Sequence, residues 1–134
     1  MDFPITVYHN PKCGTSRNTL AMIGAAGYEP KVVEYMRTGW TRALLQDLLQ
    51  KLRLTPRDIL RAKEPLVTEL NLAAASDEAQ IEAMLAHPIL VNRPIVVSPK
   101  GAKLCRPSEE VLSLLERQPP AFVKEDGEVV KPRR

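Results

Sequence analysis

The chain has 134 residues, 44% apolar and 26% charged, with a formal charge of +3. That length suits one domain, able to bury roughly two thirds of its unfolded surface without disulfides or metals. Aromatic residues make up 4% of the chain and charges of both signs alternate, so nucleic acid is not an expected partner.

Ile5-Thr6-Val7-Tyr8 reads as a short strand of β-branched and aromatic residues, running into the loop His9-Asn10-Pro11-Lys12. From Gly14 to about Ala26 the pattern is helical, with Gly27 as the stop. Lys31-Val32-Val33-Glu34-Tyr35 reads as a second strand, and a β-α-β opening favours parallel pairing. A helical stretch follows over about residues 41–86. Thr41 caps a helix with Leu44, Leu45, Leu48, Leu49 and Leu52 on one face. Thr55-Pro56-Arg57-Asp58 opens another, and Ser76 or Asp77 a third that ends at Pro88. Ile95-Val96-Val97 and Ala102-Lys103-Leu104-Cys105 form a hairpin around Pro99-Lys100-Gly101. Ser108-Glu109-Glu110 opens a last helix.

The order resembles a thioredoxin-like α/β fold: β-α-β, then β-β-α, a small mixed sheet and a helical insertion. The expectation is one domain over residues 1–117, with residues 118–134 as a surface C-terminal tail rich in Pro and charge.

Several classes of protein are excluded. Apolar runs such as Ala21 to Gly27 and Ile89 to Val91 are far too short to span a bilayer. Met1-Asp2-Phe3-Pro4 lacks the basic and apolar regions of a secretory signal. Two cysteines, Cys13 and Cys105, are too sparse for a secreted disulfide scaffold, so a reducing cytoplasm is expected. The histidines and cysteines lack the short paired spacings of zinc sites, so no metal is expected.

Cys13 stands where strand hands over to helix. The unpaired N–H groups and dipole of the first helical turn favour a thiolate there and provide a docking place for an oxyanion. Lys12 and Arg17 add positive charge, and His9 either tunes the thiol or anchors the loop. Ser16 stands where a dithiol oxidoreductase has its second cysteine. It cannot form a disulfide, but its hydroxyl is able to donate to the sulfur and favour the thiolate. The pattern describes a one-cysteine site that an outside thiol must resolve. Cys105 and Arg106 are strand neighbours and point to opposite faces, so an Arg106 aimed at the site leaves Cys105 structural.

The segment from His9 to Asn18, His-Asn-Pro-Lys-Cys-Gly-Thr-Ser-Arg-Asn, resembles the active-site motif of the glutaredoxin-coupled arsenate reductase family. His87 to Val97, Leu104 to Glu109 and Ala121 to Gly127 are similar to further blocks of that family, in the same order along nearly the whole chain. The resemblance implies that Cys13 attacks arsenate while Arg61, Arg93 and Arg106 hold the oxyanion. It implies glutathione as co-substrate, glutaredoxin as partner and no bound cofactor, and it makes Pro94 the cis-proline beside the cysteine. The arginines have a physical rationale, because arsenate and a thiolate repel each other. At an effective dielectric of about 20, each cation at about 4 Å contributes on the order of 4 kcal/mol before desolvation, and guanidinium forks match tetrahedral oxyanions in pairs of hydrogen bonds.

Two alternatives have weaker support. One is a thiol reductase of the same family acting on another substrate. The other is a redox-sensing regulator that binds RNA polymerase, a branch that usually shows Cys-x-x-Cys, against which Ser16 and the arginine blocks argue. The Cys-x5-Arg spacing of thiol phosphatases is absent, because position 19 is Thr19.

Overall fold

The first strand, β1, covers Thr6–His9 in this computed structural model, which describes residues 3–133. Met1, Asp2 and the last residue of the expected tail, Arg134, lie outside the described residues. The described residues divide into two compact units, one of residues 3–34 and 93–133 and one of residues 35–92.

The first unit is built on a sheet of order β2-β1-β3-β4, with β2 at Lys31–Glu34, β3 at Ile95–Ser98 and β4 at Gly101–Leu104. β1 runs parallel to β2 and antiparallel to β3, and β3 and β4 form an antiparallel hairpin. The mixed sheet follows from connection length. The crossover through α1 (Gly14–Ala25) allows parallel pairing, whereas the tight turn at Pro99-Lys100 forces antiparallel pairing. Helix α1 stops as the sequence suggests. Gly27 takes φ +93° and its N–H donates to the Gly24 carbonyl, while the Tyr28 N–H reaches back to Ile23, a Schellman closure.

The core of this unit joins Ile5, Val7 and Val96 of the sheet region to Met22 and Ile23 of α1 and to Val111, Leu112 and Leu115. Each such side chain stabilises the fold by about 1.5–3 kcal/mol when fully buried. The last expected helix takes a tighter form: Ser108–Leu114 is a 3-10 run, packed against α1. Tyr35 begins a short helix, α2 (Tyr35–Thr38), rather than ending the second strand.

Residues 118–133, read from sequence as a surface tail, contain a two-stranded hairpin of β5 (Phe122–Val123) and β6 (Val129–Val130). Val130 joins the core and Phe122 packs against it. Lys124 is buried between Glu109 and Glu128, at 2.7 and 3.1 Å. The dense charge that marked this segment as solvated therefore includes a partnered cation, and its apolar residues supply the anchor.

The second unit is helical: α2, α3 (Arg42–Leu52), α4 (Pro56–Ile59), α5 (Pro65–Glu69) and α6 (Asp77–Ala86), with 3-10 turns at Leu72–Ala74 and Pro88–Leu90. The caps match the sequence reading. Thr41 Oγ1 accepts the Leu44 N–H at 3.1 Å, Ser76 Oγ accepts the Ala79 N–H at 3.1 Å, and Asp58 accepts the Thr55 N–H at 2.9 Å. Leu45, Leu48 and Leu49 of α3 are buried, as are Ile81 and Met84 of α6.

Candidate active site

The alternation of β1 buries Val7 and His9 on one side. Val7 enters the core; His9, a residue pair further on, meets the first turn of α1, where its Nδ1 lies 2.7 Å from Ser16 Oγ. Asn10 then shapes the loop. Its carbonyl accepts the Cys13 N–H at 3.0 Å, its Oδ1 accepts the Lys12 N–H at 3.0 Å, and its own N–H donates to Ser16 Oγ at 3.1 Å. These bonds turn the chain tightly and leave Cys13 at the N-cap of α1, its carbonyl accepting the Arg17 N–H at 3.0 Å.

Ser16 differs from its expected role. Its hydroxyl faces His9 and the Asn10 N–H rather than the sulfur. Helical side chains lean toward the N-terminus, and here that lean carries the hydroxyl into the loop. It is the backbone N–H of Ser16 that supports the ionised sulfur. His9 is 5% exposed, and burial holds its pKa below the usual histidine value; Glu34 pulls it up and Arg17 pulls it further down.

Two arginines reach the sulfur from the β3–β4 hairpin. Ile95 pairs with Leu104, so the residues two positions outward from that pair lie on the same side of it, and these are Arg93 and Arg106. Arg106 Nη1 is 3.7 Å from Cys13 Sγ and donates to the Arg93 carbonyl at 3.0 Å. Arg93 is 7% exposed and hydrogen-bonds the sulfur. Both the Arg93–Pro94 and Arg106–Pro107 peptide bonds are cis.

Cys13 is 8% exposed but stands outside the apolar core cluster, among guanidinium groups and backbone N–H groups. Burial pushes its thiol up; the Arg93 hydrogen bond and charge, the Ser16 N–H and Arg106 together outweigh burial and bring it down to about 7. A thiolate is therefore well populated near neutral pH, beside cations suited to a tetrahedral anion. Cys105 has the opposite surroundings: fully buried in the core, with its thiol pushed up to about 12, chiefly by burial. Both cysteines are free thiols.

Arg61 belongs to the second unit. There its N–H donates to the Leu90 carbonyl at 2.7 Å and its Nη1 pairs with Glu64 at 3.0 Å. Asn10 and Glu125 lie within the family-like blocks, but sequence reasoning gave neither a role of its own. An Asn before Pro is a turn signal that was available for Asn10. Glu125 grips Arg17 from far along the chain, through Nε at 2.8 Å and Nη2 at 2.9 Å, and no local pattern announces that pairing. Among the described residues, no cluster of three or more His, Cys, Asp or Glu side chains is arranged to hold a metal ion. No helix among them is long and apolar enough to cross a membrane.

Fold and site together define an α/β protein of thioredoxin-like architecture with a thiol at the start of its first helix. The chain belongs to the ArsC family, whose sequence profile matches residues 8–114. It is 53% identical over 129 residues to the arsenate reductase ArsI2 of Synechocystis sp., covering 94% of this chain and 92% of that protein. It is 52% identical over 129 residues to an arsenate reductase of Escherichia coli, with the same coverage of 94% and 92%. Among solved structures, an arsenate reductase from Vibrio cholerae superposes with a TM-score of 0.82 at 42% identity, over 86% of this chain and 100% of that one.

Proposed function

We propose that this protein is an arsenate reductase in which Cys13 is the nucleophile and Arg93 and Arg106 hold the oxyanion and its adducts. The observation that carries the reading is the Cys13 sulfur itself: 3.7 Å from Arg106 Nη1, hydrogen-bonded by Arg93, and ionising at about 7. Membership of a family whose members include arsenate reductases at about 50% identity supports the substrate.

The cycle balances with thiols as the reductant. The Cys13 thiolate attacks arsenic, an As–O bond breaks and its oxygen leaves as water after protonation, giving a thiol–arsenate adduct. Glutathione thiolate then attacks the Cys13 sulfur. The S–As electron pair passes to arsenic, which leaves as arsenite, and Cys13 is left in a mixed disulfide with glutathione. A glutaredoxin reduces that disulfide and restores the thiol. Ser16 in place of a second cysteine fits this need for outside thiols, and Cys105 is too buried and too weakly acidic to resolve the adduct. Arg61 is assigned to the oxyanion as well, on the family resemblance of its segment. His9 and Ser16 act on the sulfur indirectly, by fixing the loop that carries it. A reducing cytoplasm is the compartment that supplies glutathione and glutaredoxin. Phosphate, of nearly the same shape and charge, competes for the site without turning over, because phosphorus does not accept the two electrons.

The test is arsenite formation from arsenate with glutathione and glutaredoxin, repeated with thioredoxin in place of glutaredoxin. Activity is expected with the first pair, and Cys13→Ser is expected to reduce it to background. A Cys13→Ser protein with near-normal turnover rejects the nucleophile; activity with thioredoxin alone rejects the proposed electron route.

A further inference from the structure

The β5–β6 hairpin does more than cover the core. Its turn places Glu125 against α1, where the carboxylate takes the Nε/Nη2 edge of the Arg17 guanidinium, Oε2 with Nε at 2.8 Å and Oε1 with Nη2 at 2.9 Å. The remaining nitrogen, Nη1, donates to the Pro11 carbonyl at 2.8 Å. The Glu125 backbone N–H donates to Asn18 Oδ1 at 3.1 Å. Arg17 is thus a bracket with one arm on the cysteine loop and one fork on the hairpin, and Asn18 ties the same turn to the next residue of α1. An exposed Arg–carboxylate pair usually stabilises little, but a bidentate pair inside a network fixes geometry.

The hairpin holds itself in place without Glu125. The Lys124 N–H donates to Glu128 at 2.8 Å and the Gly127 N–H to Lys124 at 2.9 Å. Gly127 supplies the positive φ of the turn at +92°, and Val130 and Lys124 are buried. The carboxylate of Glu125 is spent on Arg17 rather than on folding its own element.

We propose that Glu125 is a positioning residue, acting through Arg17 to hold the Pro11–Cys13 loop in the geometry from which Cys13 attacks. This inference rests on Cys13 as the nucleophile. The cations that act on the sulfur are Arg93 and Arg106, while Arg17 of α1 points its guanidinium at Glu125 and the Pro11 carbonyl, its pKa raised chiefly by the Glu125 hydrogen bond and slightly by the Cys13 charge. Glu125 faces Arg17, and the pairing holds the carboxyl below the usual carboxylate range. Loss of Glu125 frees Arg17 from the bracket, and the Pro11 carbonyl loses a fixed donor. The loop then samples conformations in which the sulfur is misaimed, a cost in rate rather than in binding.

The experiment compares Glu125→Ala, Glu125→Gln, Arg17→Ala and the double variant Arg17→Ala/Glu125→Ala. It uses steady-state arsenate reduction, amide hydrogen exchange of the peptide spanning the loop, and iodoacetamide alkylation of Cys13 read by mass spectrometry. Each alanine variant is expected to lower kcat by about three- to tenfold, with KM for arsenate within about twofold. Exchange is expected to rise in the Pro11–Cys13 loop and stay unchanged in the core strands. The double variant is expected to lose no more than the larger single loss, since both act through one bracket. Glu125→Gln, which keeps one acceptor, is expected to fall between wild type and Glu125→Ala, and it carries the test should the alanine loosen the hairpin. Additive losses in the double variant, or unchanged loop exchange with unchanged kcat in both Glu125 variants, overturn the proposal. A wild-type Cys13 alkylated no faster than a free thiol fails the nucleophile itself; a fast wild-type thiol with an indifferent Glu125 fails the bracket alone.

Discussion

Cys13 and Cys105 are both buried, at 8% and 0% exposure, yet one thiol ionises at about 7 and the other at about 12. The residue type is the same and the accessibility nearly so; the difference lies in what fills the space around each sulfur. Cys105 is enclosed by the apolar side chains of the core, which offer a thiolate nothing. Cys13 is enclosed by Arg93, Arg106 and the N–H of Ser16, which offer it charge and hydrogen bonds. Burial alone does not make a cysteine inert, and exposure alone does not make one reactive.

The comparison can be broken most directly by exchanging the two sulfurs for other groups. Cys13→Ser should remove all rapid labelling by iodoacetamide near neutral pH, and Cys105→Ala should remove none of it. Labelling that survives Cys13→Ser would place the reactive thiol elsewhere. Next in size is the charge around Cys13. Arg93→Ala should raise its thiol toward the ordinary cysteine range and lower kcat/KM for arsenate on the order of a hundredfold, the loss typical of removing one preorganised donor to developing charge. Arg106→Ala should follow with a smaller loss, because Arg106 is the last of the influences that bring the thiol down. An alkylation profile of Arg93→Ala that overlays wild type would disprove this account of the thiolate.

The pH profile sharpens the same contrast. The Cys13 pKa is depressed in the fold, so the thiolate fraction rises with pH, half complete at about 7, and the alkylation rate should rise through that point to a plateau. Cys105 should remain unlabelled throughout, because its thiol stays protonated below about 12. The smallest effect is on stability. Cys105→Ala removes one buried sulfur from the core and should cost about 1–2 kcal/mol in urea unfolding, with kcat unchanged.

The elements nearest the thiol were the most legible in sequence. A β-branched strand, a loop with Asn-Pro and a helix ended by Gly27 together dictate where Cys13 stands, each by a local rule. Caps at Thr41, Thr55 and Ser76 were equally local. Contacts between distant segments were less legible. The Ser16 hydroxyl was free to choose between the sulfur and His9, and only the burial of His9 beneath α1 decides it. Arg93 and Arg106 were found through family resemblance, although hairpin register is the physical reason that they meet. The tail was misjudged in part because composition averages over residues: Val130 is buried, while Val129 beside it is 57% exposed. Glu125 lies in a family-like block, but its pairing with Arg17 had no sequence signal, since the two are 108 residues apart.

That hairpin register has a further consequence. Two guanidinium groups are brought together by counting outward from one cross-strand pair, Ile95 and Leu104, so the number of residues in the turn does not enter the count. Lengthening the Pro99-Lys100 turn should leave the anion cradle intact. Slipping one strand by a single position should turn one guanidinium to the far side of the sheet and dismantle it, with every residue of the cradle still present.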